Sequence, residues 1–225
     1  MNLNKIDVKC LVLDKRYNDW LGLQKQCNEA GFYPVPFVCG DGSNKNLSYN
    51  RIDDNELPPR FTHSTTYPTW WARPNAYNAW KAHRAMMEDS VKHNRDLLIL
   101  EDDAELSEDF AELFYSKSVQ EFYDSNYWDM LYLGWYSNGH LSNTWYDFVY
   151  RMNGGAGFHG VILKLDFMKD LIKTNPIGPF DETCGRLQKN NVINAFAIYP
   201  AIINQKSGFS YVENSNLEKP DRYHK

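Results

Sequence analysis

Apolar residues along this chain fall in short unbroken blocks separated by amphipathic stretches, a pattern of buried strands alternating with helices. Residues 8–13 (Val-Lys-Cys-Leu-Val-Leu) form the first block. A helix is expected to open at Asn18 or Asp19 and run to Ala30, with Trp20, Leu23 and Cys27 on one face and Gly31 ending it. Residues 32–39 read as extended, and Pro34 and Pro36 demote them to an edge or irregular strand. Pro74 suits the first turn of a helix reaching about His93, with Ala76, Trp80, Met87 and Val91 on its apolar face and Tyr77 and His83 at the margins. Further strands are expected over residues 97–100, 130–133, 147–152, 158–165 and 194–203, the last broken at Pro200. Helices are expected after Ser107, from Asp166 and from Asp181.

The block at residues 97–100 (Leu-Leu-Ile-Leu) is followed at once by Glu101, Asp102 and Asp103. Three acids crowded at the end of a buried strand repel one another and are costly to desolvate. A hard divalent cation relieves both costs, because carboxylate oxygens are what Mg²⁺ and Mn²⁺ prefer. A solvated acidic turn is the plain alternative; the buried strand before the acids argues against it. Alternation of strands and helices gives an α/β fold with a mixed, mostly parallel sheet flanked by helices, and ligands in such sheets sit beyond the carboxyl ends of the strands.

The chain of 225 residues suffices for one α/β domain, expected over residues 1–212, followed by a loose polar tail at 213–225. Residues 44–69 are polar and aperiodic, as expected of a lid or binding loop. A net charge of −5 without a basic cluster argues against a nucleic-acid partner. The aromatic share of 15% is high enough to suggest stacking on rings as well as core packing. Four widely spaced cysteines, no apolar leader and no membrane-spanning run make a cytoplasmic protein with reduced thiols the expectation.

In their order, several segments resemble glycosyltransferase family 25, the lipopolysaccharide and procollagen galactosyltransferase-like enzymes. They are residues 10–16 with Asp14 and Arg16 at their end, Gly40-Asp41-Gly42, residues 75–80, the Leu/Ile-Glu-Asp-Asp run ending at Asp103, residues 155–163, Pro179-Phe180-Asp181, and residues 200–210. The resemblance implies a single-domain GT-A fold, Rossmann-like, and transfer of a sugar from a nucleotide-diphosphate sugar, a UDP-sugar foremost, to a hydroxyl of a glycan or glycoprotein, with inversion. It implies that Asp103 holds Mn²⁺ or Mg²⁺, with Glu101 or Asp102 near the ribose or completing the metal shell. Asp14, Arg16 and Asp41 would lie near the base and ribose, or are ordinary surface charges. Arg73 would reach a phosphate, Gly155 and its neighbouring glycines would admit a sugar, and Trp135 would stack on a ligand or belong to the core. His159 is either a metal-facing residue or a packed histidine. Lys206 stands where related enzymes carry a metal-binding His and would pair with the diphosphate.

Asp181 is the candidate general base, with Asp147 and Glu182 behind it; a helix N-cap is its structural alternative. Two rival readings use the same acids: a nucleotidyltransferase acting on sugar phosphates, and a non-catalytic, cation-dependent sugar-binding module. The first lacks the glycine-rich basic loop after its opening strand, and the second has no need of ligand groups at several strand ends.

Overall fold

The computed structural model describes residues 5–39, 74–135, 139–174, 179–210 and 215–217. Asp41, Arg73 and the expected lid at 44–69 lie outside the described residues.

The first apolar block forms β1 (Ile6–Leu13), followed by a 3₁₀ turn (Asp14–Arg16) and α1 (Tyr17–Glu29). Helix α1 buries Trp20, Leu23 and Cys27, and Gly31 leaves it at φ +89°, a left-handed conformation that glycine adopts without strain. Its start carries no side-chain cap, so neither Asn18 nor Asp19 serves as one. Then come β2 (Val35–Cys39), the long α2 (Pro74–His93), β3 (Asp96–Glu101) and the short β4 (Ala104–Leu106). Two small helices, α3 (Phe110–Phe114) and α4 (Lys117–Asp124), lead to β5 (Met130–Tyr132), β6 (His140–Asn143), β7 (Val149–Asn153) and β8 (Gly160–Leu163). The chain continues through α5 (Leu165–Leu171), α6 (Phe180–Lys189), β9 (Ala195–Ile198) and β10 (Ile203–Gln205). Strands β11 (Gly208–Ser210) and β12 (Ser215–Leu217) pair antiparallel, the second within the segment expected to be a loose tail.

The main sheet has eight strands in the order β2-β1-β3-β8-β5-β9-β7-β6. Strand β1 is parallel to β2 and β3, and β5 is parallel to β9. The pairings β3–β8, β8–β5, β9–β7 and β7–β6 are antiparallel. This corrects the expected mostly parallel, Rossmann-like GT-A sheet. The physical cause is visible in two places: β8 inserts between β3 and β5 running against both, and the short link between β6 and β7 permits only a hairpin. Strand β6 escaped sequence reading because its residues are largely exposed and show no apolar alternation.

Helices cover both faces, and the period of two along each strand divides the core between them. From β3, Leu98 and Leu100 pack with Trp20, Leu23, Phe110, Phe114 and Phe122 on the α1, α3 and α4 side. Leu97 and Ile99 pack with Trp80, Met86, Met87, Met168 and Phe180 on the α2, α5 and α6 side. Each such buried side chain contributes roughly 1.5–3 kcal/mol, which fixes the end of β3 and the acids that follow it.

Candidate functional site

The same period of two determines where the three acids point. Glu101 follows Leu97 and Ile99 onto the α2 face, where His83 Nε2 lies 3.4 Å from its Oε1. His83 is buried, one turn from Trp80 and Met87 on the inner face of α2, so it is a core-side residue rather than a marginal one. Its Nε2 makes no hydrogen bond despite that close approach. Burial pushes the Glu101 carboxyl up, but the facing His83 imidazole, with His159 and Arg16 adding to it, leaves Glu101 below the usual carboxylate range.

Asp102 and Asp103 turn toward β1 and the 3₁₀ turn. The Asp102 Oδ2 accepts the Leu13 amide at 2.7 Å, and its own amide donates to Leu11 O at 2.9 Å. Arg16 Nη1 donates to Asp102 Oδ1 at 3.1 Å and to Asp103 Oδ2 at 2.7 Å. One guanidinium nitrogen therefore bridges two carboxylates. The antiparallel β10–β4 pairing sets Gln205 opposite Ala104, and Gln205 Nε2 reaches Asp103 Oδ2 at 3.2 Å. Asp103 Oδ1 is buried and has no hydrogen-bond partner among the described residues.

Among the described residues, one positive charge pairs with both acids. Burial, with Asp103 adding to it, pushes Asp102 up to about 8, against the pull of Leu13 and Arg16. Burial and the Glu101 charge likewise raise Asp103. Arg16 is raised in turn, since both carboxylates favour its charged form more strongly than burial opposes it. The directions agree physically: the pairing is favourable to the arginine yet too little to neutralise both acids.

Beyond Glu101 lie His159 and Asp181. His159 is fully buried, and burial lowers it to about 4, so it is a neutral imidazole in the core near Glu101. Gly134 admits that ring, since a Cβ there would lie 2.7 Å from His159 Nε2. Asp181 stands inside the first turn of α6, whose N-cap position is Pro179, so the capping alternative is corrected. Burial raises it to about 6, with Glu182 and Glu101 adding to the shift. Helices α2 and α6 are held together here by Trp80 stacked on Phe180 at 5.3 Å.

The remaining candidates are dispersed. Asp14 is buried in the 3₁₀ turn, and Trp135 is buried in the core near Tyr199. Gly155 is packed against Met152, and its amide donates to Gln188 Oε1 at 2.8 Å, so its role in view is structural. The Lys206 amide donates to Asp103 O at 2.8 Å, while its ammonium lies 3.9 Å from Asp19 Oδ1. Asp147 is exposed in the β6–β7 connection, and Glu182 neighbours Asp181. Gln205 and His83 are the site residues that sequence reasoning placed outside the candidate set. His83 carried a signal in its spacing from Trp80 and Met87; Gln205 depends on a strand pairing more than 100 residues apart, which no local pattern reveals.

A second polar cluster lies at the other end of β1. Asp7, Asp89 and His93 place donor atoms within 4.8 Å of one another, so this group could coordinate a divalent cation. It already holds cations of its own. Lys9 Nζ is 2.8 Å from Asp89 and 3.3 Å from Asp7, and Arg95 is 3.2 Å from Asp7. The Lys9 ammonium also donates to Ser90 Oγ and Met86 O, a set of partners that makes it an integral part of the fold.

No family model matches the chain, and no curated protein matches it. Among solved structures, the crystal structure of A197 from STIV is similar over 97% of each chain, at 13% identity and a TM-score of 0.46. That likeness is too weak to speak for fold or function. The resemblance to glycosyltransferase family 25 therefore finds no support in any family or curated protein, and the mixed sheet departs from the expected parallel one. With it fall the assignments that depended on it: sugar transfer, a glycosyltransferase activity, a UDP-sugar donor and a glycan or glycoprotein acceptor; the two rival readings, a sugar-phosphate nucleotidyltransferase and a sugar-binding module, find no match among families or curated proteins either. No helix among the described residues is long and apolar enough to cross a membrane.

Proposed function

We propose that the carboxyl end of β3 is a binding site for a hard divalent cation, Mg²⁺ or Mn²⁺, with Asp103 as its principal ligand and Asp102 as its second. The observation that carries this reading is the buried Asp103 Oδ1, an acceptor with no hydrogen-bond partner among the described residues, beside a second carboxylate that shares Arg16 with it. A buried acceptor left unmatched costs about 1–3 kcal/mol, more when charged, and a divalent ion removes that cost. Gln205 and the backbone at Lys206 orient Asp103, leaving the remaining coordination positions to water or to an oxyanion of a bound small molecule. The buried free thiols of the four cysteines support a cytoplasmic, reducing setting.

Calorimetric titration with Mn²⁺ tests the reading. Asp103→Asn keeps the shape and one acceptor oxygen, so the fold persists, while Mn²⁺ affinity falls at least about tenfold, the equivalent of 1.4 kcal/mol. Equal affinity in wild type and variant contradicts it.

A further inference from the structure

We infer that the Arg16 guanidinium is a built-in counter-cation that a divalent ion displaces on binding, so that Arg16 sets the metal affinity of the site. The inference rests on Asp102 and Asp103 being the metal ligands, and adds to that reading a competitor carried by the chain itself.

Three observations lead to it. A single nitrogen, Nη1, contacts both carboxylates, at 3.1 and 2.7 Å, and so occupies the place between them where a shared cation belongs. The arginine side chain is 13% exposed, against 4% for Asp102 and 15% for Asp103, so it is more accessible to solvent than the deeper of the two acids. Arg16 also ends a three-residue 3₁₀ turn joining β1 to α1, so a rearrangement of its long side chain does not require β1 itself to move.

Simultaneous occupancy is disfavoured by elementary electrostatics. A divalent ion bound between the carboxylates would stand within a few ångströms of the guanidinium, where like charges in a poorly solvated site repel strongly. The carboxylates can bond the arginine or the metal at short range, and the exchange releases the arginine to solvent or to an anion arriving with the metal.

The test is Mn²⁺ titration of wild type, Arg16→Gln and Asp103→Asn, with thermal unfolding in metal-free and Mn²⁺ buffers. With Arg16 as competitor, Arg16→Gln binds Mn²⁺ at least about tenfold more tightly than wild type. Its melting temperature also falls without metal and recovers more on adding Mn²⁺ than that of wild type. Wild-type binding abolished by Asp103→Asn but unchanged or weakened by Arg16→Gln overturns the competition and leaves the metal site standing. Binding in neither wild type nor Arg16→Gln overturns both. If Arg16→Gln does not fold in either buffer, Arg16→Lys decides: the shorter, non-forked cation bridges two carboxylates poorly, so affinity above wild type supports the exchange and affinity equal to or below wild type overturns it.

Discussion

Asp102 and Asp181 show how one residue type takes different tasks from its surroundings. Asp102 fastens the end of β1 to β3 by accepting the Leu13 amide and pairing with Arg16. Asp102→Ala removes both contacts and leaves the Leu13 amide unmatched, while Arg16 keeps its bond to Asp103, so it is expected to cost about 1–3 kcal/mol in urea unfolding. A loss under about 1 kcal/mol would show that the clamp contributes little. Asp181 has the opposite character, since its environment opposes its charge and raises it from 3.8 to about 6. The folded state then holds the proton more tightly than the unfolded chain between about pH 4 and 6. The Asp181 contribution to stability accordingly rises as pH falls through 6, levels off below 4, and at neutral pH costs about 1–3 kcal/mol. Asp181→Asn should be more stable than wild type at pH 7.5 and lose that advantage near pH 4.5; an advantage equal at both pH values would contradict the assignment. The acids themselves were legible because a buried strand ends on them. Their partners were not, because Arg16 and Gln205 arrive from segments 87 and 102 residues away.

Strands and helices with strong apolar periodicity were legible as elements: β1, β3, α1 and α2 follow from their blocks and stripes. The glycine segment after β7 was legible only as a bend, and its function in the fold depends on α6. Buried Gln188 accepts the amides of Gly154 and Gly155 at 3.1 and 2.8 Å and donates to Tyr132 Oη at 2.8 Å. Gln188→Ala strands these groups together, and an expected loss of about 2–4 kcal/mol in denaturant unfolding checks the role. A change below about 1 kcal/mol would mean that water replaces the amide. Strand direction was the feature least accessible to local reading. A four-residue apolar block such as β8 looks the same whichever way it runs, and only its pairing with β3 and β5 reveals the antiparallel insertion.

Across the whole molecule, two polar clusters flank the same parallel strands. At one end of β1, Lys9 and Arg95 neutralise Asp7 and Asp89 within the fold. At the other end, Arg16 answers Asp102 and Asp103 incompletely, and Asp103 keeps an unmatched buried oxygen. The contrast favours the second end as the place where a divalent ion is needed, although the first offers the more compact set of donors. Anomalous diffraction from crystals equilibrated with Mn²⁺ separates the two directly. The account requires a manganese peak bonded to Asp103, with the Arg16 guanidinium withdrawn from the carboxylates. A peak among Asp7, Asp89 and His93 with none at Asp103, or no ordered manganese at either end, would contradict it.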